Sequence, residues 1–147
     1  MEPQKKILVA LDFSEDPSDV FEKAVLVAEK YNAYLYLLHV IHDMPRLSFY
    51  SDAYELWEEF RNRAVKKTLQ EMGDYIQKFS TNFRDIDPIV DVGIPHIKIA
   101  DRAKELDVNL IIVGTHARKG IDHLMHTNCS EKIIRLVDIP VLIFHIK

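Results

Sequence analysis

Short apolar runs alternate with longer amphipathic stretches along this chain, and their order predicts an α/β fold. Residues 6–11 (KILVAL) are almost continuously apolar, as in a strand covered on both faces of a parallel sheet. The run stops at Asp12, and the following segment to Pro17 carries short polar side chains and then a proline, which suits a helix start. Val20, Phe21, Ala24, Val25, Val27 and Ala28 recur at helical spacing, and Asn32 is placed to stop that helix. Residues 33–41 (AYLYLLHVI) read as a second strand.

Beyond it, residues 42–51 are polar with Pro45 and read as a loop. Residues 52–79 carry one long amphipathic pattern through Leu56, Phe60, Ala64, Leu69, Met72 and Ile76, with a weak point at Gly73. A third strand at 86–92 contains Pro88, which points to a sheet edge. Gly93-Ile94-Pro95 ends it and opens a helix to about Leu106. The remaining elements are a strand at 108–113, a helix at 129–137 and a strand at 141–146 after Pro140. Five strands alternating with four helices imply one domain, residues 1–147, built on an open, doubly wound parallel sheet. Ligands of such sheets bind beyond the strands' carboxyl ends, where the winding reverses, which selects Asp12, residues 39–42, residues 93–95 and residues 114–128 as walls of one pocket.

Composition narrows the function classes. With 147 residues, 48% of them apolar, the chain can bury a core without disulfides, and its single cysteine, Cys129, forms none internally. A net charge of -4 with interspersed signs leaves no basic face for nucleic acid. No run is long enough to cross a bilayer, and residues 1–6 lack an apolar segment behind their charges, so a cytoplasmic protein is expected.

The segment from Gly114 to Asn128 is the leading candidate for chemistry. It follows a buried strand and rejoins a helix near Thr127-Asn128, so backbone N–H groups and a helix dipole converge where an anion would sit, with Arg118 and Lys119 adding charge. It lacks the lysine and hydroxyl of a P-loop, and a structural turn with solvated charges is the alternative. Asn128 with Glu131 forms a capping-box-like pair. His116, His123 and His126 lie in the same segment, but no zinc signature surrounds them, and solvated side chains are the simpler reading. No nucleophile elbow or spaced carboxylate pair is present. Cys129 either packs on the sheet or, early in a helix, has a lowered thiol pKa. Trp57, Phe60 and Tyr54, with Phe49 and Tyr50, form an aromatic group that covers the sheet or lies over the crevice.

Several segments together resemble the universal stress protein family: ILVALDFS at 7–14, LHV at 38–40, VGIPH at 92–96, VGTH at 113–116, EKI at 131–133 and PVL at 140–142. The resemblance spans nearly the whole chain. It implies strand order 3-2-1-4-5, an adenine nucleotide alpha hydrolase-like fold, and a homodimer joined through the last strand, residues 141–146. It also implies a ligand, ATP or AMP, with Mg²⁺ or Mn²⁺ only alongside ATP. Nucleotide-binding members carry Gly, two residues, Gly, nine residues, then Gly and Ser or Thr. Here Gly114 matches, while Ala117, Thr127 and Asn128 replace the other positions with the spacing intact. Thr127 adds a branched side chain where a phosphate approaches the backbone, and Ala117 adds only a methyl.

By the same resemblance Ala10, Leu11 and Val40 line an adenine slot, with Val40 bonding through its backbone, and Asp12 holds the ribose or base region. Asp12 as a helix cap is the alternative from the residues alone. Val113, Gly114, Thr115 and His116 form the strand-end wall, His116 bonding phosphate. Arg118, Thr127, Asn128 and Cys129 complete the binding set. The expected function is a regulatory adenine-nucleotide site in a stress-response protein with little or no catalysis. The alternative is a dimeric interaction module that has lost nucleotide binding and acts through protein clients. Slow ATP hydrolysis would need a water-positioning base, for which only Asp12 stands near.

Overall fold

The structure, a computed structural model, describes residues 3–12, 17–43, 51–80, 82–116 and 121–146, of which 51–54, 115, 116, 121–128 and 146 are described by backbone alone. Its elements alternate as the apolar pattern requires: β1 (Lys6–Ala10), α1 (Ser18–Lys30), β2 (Tyr34–His42), α2 (Ser51–Phe79), β3 (Ile86–Gly93), α3 (Pro95–Glu105), β4 (Leu110–His116), α4 (Ile121–Leu136) and β5 (Val141–Ile146). All strand pairings are parallel, in the order β3-β2-β1-β4-β5. Pro88 lies in edge strand β3, where a missing N–H costs no interior ladder bond.

The period-2 alternation of the strands divides the core. On one face Val9, Leu11, Leu35, Leu37 and Ile112 pack with Val20, Phe21, Ala24 and Ala28 of α1 and Met72 of α2. On the other, Leu8, Leu38, Ile111 and Val113 meet Ile99 and Ala103 of α3 and Ile133 of α4. Fully burying a side chain such as Phe21 or Leu38 contributes about 1.5–3 kcal/mol.

Three expectations change. β4 runs to His116 rather than stopping at Val113, because β5 continues beside it and pairs Gly114 with Phe144, Thr115 with His145 and His116 with Ile146. α4 begins at Ile121 rather than Cys129. The chain from 121 to 136 holds no glycine or proline, so nothing in the backbone interrupts the helix at Asn128, which lies inside it and is not an N-cap. Helix α2 does not lay one continuous apolar face on the sheet. Met72 is buried and Tyr75 and Ile76 pack beside it, whereas Leu56 and Phe60 are 69% and 61% exposed. Leu56 and Met72 are 16 positions apart, roughly 160° around a helix, and 29 residues span about 43 Å, beyond the reach of the strands.

Candidate functional site

The winding reverses between β1 and β4, the central neighbours in the sheet, so the crevice opens beyond Ala10 and Val113, which are register partners. Ala10, Val40, Val113 and Cys129 belong to the same packed face of the sheet, that of α3 and α4. Val113 is buried, and Ala10, Val40 and Cys129 are half-buried beside it and form an apolar wall; Gly114, the next residue of β4, is half-buried. Asp12 is exposed beyond the end of β1. It is not an N-cap for α1, which starts six residues later at Ser18 behind Pro17, without a side-chain cap bond. Leu11 turns its side chain into the opposite core, next to α1, and so does not line the crevice with it.

The ends of the strands are tied together by backbone and side-chain bonds. Leu11 N–H donates to the Leu38 carbonyl at 2.9 Å, and the Leu11 carbonyl accepts from His39 Nδ1 at 2.8 Å. A carbonyl only accepts, so Nδ1 carries the hydrogen. Asp43, just past β2, donates its N–H to the Gly93 carbonyl at 3.2 Å and accepts from Trp57 Nε1 at 3.2 Å, which joins β2, β3 and α2. Trp57 stacks on Phe60 with ring centroids 5.7 Å apart. Gly93 has φ +155, and a Cβ there would stand 2.8 Å from Lys98 Cε, so the turn into α3 uses glycine's freedom. Phe49 and Tyr50 lie outside the described residues, as does the Tyr54 side chain.

Burial pushes the Cys129 thiol above its usual range; Lys132 opposes this and Asp12 adds to it, which brings thiol, carboxylate and ammonium into one electrostatic neighbourhood. The thiol is therefore not activated by the helix dipole, since Cys129 lies eight residues into α4. His96, early in α3, is held below the usual histidine range by burial and then by Lys132. Among the described residues no cluster of three or more His, Cys, Asp or Glu is arranged for a metal ion. Ala117, Arg118, Lys119 and Gly120 lie outside the described residues, as do the side chains of Thr115, His116, His123, His126, Thr127 and Asn128.

The described part of the crevice is thus an apolar wall, an exposed carboxylate, and backbone at the end of β2. His39 lies within the strand-end segment 39–42 that the switch-point rule selects, but its bond to the Leu11 carbonyl was not readable. Asp43 falls one residue outside that segment, and its only sequence signal is its position just beyond the strand.

Residues 4–145 match the universal stress protein family. The chain belongs to that family. Universal stress protein A homolog 2 of Coxiella burnetii is 33% identical over 155 aligned residues, covering 100% of this chain and 99% of the relative. Among solved structures, MJ0577, a universal stress protein of Methanocaldococcus jannaschii, superposes with a TM-score of 0.73 at 26% identity, covering 97% of this chain and 96% of the other. A universal stress protein solved in complex with cAMP shares the fold, with a TM-score of 0.69 at 21% identity over 97% of this chain and 98% of that one.

Proposed function

We propose that this universal stress protein binds an adenine nucleotide, AMP or ATP, as a regulatory ligand in the cytoplasmic stress response, with little or no catalysis. The observation that carries the reading is the crevice at the β1/β4 switch point, where Ala10, Val40 and Val113 offer an apolar slot and Asp12 an exposed carboxylate beside it. A flat base fits an apolar slot. A carboxylate accepts from ribose hydroxyls. A family member solved with cAMP supports an adenine ligand in this fold.

A second reading has its own support. Thr127 and Asn128 lie inside α4 rather than at its start, which does not favour backbone N–H groups cradling a triphosphate there. On that reading the chain is a dimeric interaction module, or it prefers AMP to ATP. The dimer itself is proposed to form through β5.

Calorimetric titration with AMP and ATP distinguishes these readings. Saturable binding that weakens about tenfold or more in Asp12→Ala is expected. Absence of binding at millimolar AMP and ATP overturns the nucleotide site. Thr127→Gly combined with Asn128→Ser is expected to strengthen ATP binding selectively; unchanged ATP affinity removes the steric account of Thr127.

A further inference from the structure

In a parallel ladder the N–H and C=O of one residue point to the same neighbour, and successive residues alternate sides. Tyr34 N–H bonds the Lys5 carbonyl at 2.7 Å, toward β1, and Leu35 N–H bonds the Asp85 carbonyl at 2.8 Å, toward β3. Even-numbered residues of β2 therefore face β1. The register from Lys6↔Tyr34 to Ala10↔Leu38 keeps this offset, and the Leu11 N–H to Leu38 carbonyl bond ends it. One step further, an ideal ladder would join Val40 N–H to the Leu11 carbonyl. Among the described residues no such backbone bond occurs, and the Leu11 carbonyl holds the His39 ring instead.

We infer that His39 is a positioning residue for the ligand site: by taking the Leu11 carbonyl it ends the β1–β2 ladder one bond early and leaves the Val40 N–H and C=O directed into the crevice for the edge of a bound base. This rests on the adenine-nucleotide reading. The ring acts from the far side of the sheet, since odd-numbered Leu35 and Leu37 point into the α1 core whereas Val40 packs on the α3 face. It therefore does not touch the base. A donor and an acceptor side by side on Val40 match the N1 acceptor and amino donor of adenine; guanine presents the reverse pair, which makes GMP the control.

The test compares wild type, His39→Leu and His39→Asn, whose side-chain amide can take the place of Nδ1. In His39→Leu a through-hydrogen-bond NMR coupling between the Val40 nitrogen and the Leu11 carbonyl carbon is expected to appear. AMP affinity is expected to fall about tenfold, while His39→Asn stays within about threefold of wild type and GMP binds weakly throughout. A Val40–Leu11 coupling already present in wild type overturns the inference, as does unchanged AMP affinity in a folded His39→Leu protein. Should His39→Leu not fold, the wild-type coupling and the His39→Asn affinity decide. Should wild type bind neither AMP nor ATP, the nucleotide reading fails, and the coupling experiment still decides what His39 does to the ladder.

Discussion

Asn32 and Asp107 adopt the left-handed conformation, φ 50 and 55, one residue past the C-caps of α1 and α3. Each ends its helix with a pair of reversed bonds. Ala33 N–H reaches the Ala28 carbonyl and Asn32 N–H that of Glu29; Val108 N–H reaches Ala103 and Asp107 N–H reaches Lys104. These close carbonyls that the helix leaves open, and Ala28, Ala33, Ala103 and Val108 bury the accompanying contact. Because the left-handed region penalises a Cβ without a local hydrogen-bonding group, Asn32→Ala or Asp107→Ala is expected to lower stability by about 1 kcal/mol. Asn32→Gly or Asp107→Gly should not; urea midpoints measure both. Asn32 was legible because asparagine is common at such stops, whereas nothing near Asp107 marks it. At Cys129 the prediction concerns pH. Burial favours the neutral thiol in the native state, so the stabilisation is full below the ordinary thiol range and is lost as pH rises through the raised native pKa. Alkylation should be slow near neutrality, with its pH midpoint above that of the unfolded chain; an equal or lower midpoint would refute the burial argument.

At the scale of elements, β3 and α3 are joined by a forked ion pair. Arg102 Nε and Nη2 donate to Asp91 Oδ2 and Oδ1 at 2.6 and 2.7 Å, with side-chain exposures of 32% and 13%. The bond to Asp91 raises the Arg102 pKa further, while burial opposes it. Removing the guanidinium leaves a mostly buried carboxylate unpaired, so Arg102→Ala should cost about 1–2 kcal/mol, allowing for solvent screening. Arg102→Lys should recover only part, because an ammonium cannot reproduce the fork. Full recovery, read from chemical denaturation, would mean that charge alone suffices. The exposed pairs along α2, such as Arg63 with Glu59, carry no comparable expectation. The sequence showed that α2 would be long, but not which half would pack. Its apolar positions rotate around the helix, and only the sheet's length decides where contact ends.

For the whole molecule, the outer edge of β5 is the proposed dimer contact. Ile111 N–H bonds the Pro140 carbonyl, so even-numbered β5 residues pair with β4, and Val141, Ile143 and His145 present N–H and C=O outward. His145→Pro removes an outward N–H at an exposed position without touching the β4 ladder. Light scattering is expected to show a dimer for the native chain and a dissociation constant raised about tenfold or more for His145→Pro. An unchanged dimer would place the interface elsewhere. No helix among the described residues is long and apolar enough to cross a membrane.

The sequence by itself determined the alternation of strand and helix, the edge placement of β3 through Pro88, and the family, because these follow from periodicity and local chemistry carried by contiguous residues. It pointed to the crevice through the switch-point rule. Only the tertiary structure decided how far β4 and α4 extend, which half of α2 is covered, which face each strand-end residue occupies, and that the Leu11 carbonyl pairs with an imidazole rather than the next backbone amide. Those outcomes depend on what lies beside a segment in space: a neighbouring strand, the length of a sheet, or a ring brought across from the adjacent strand.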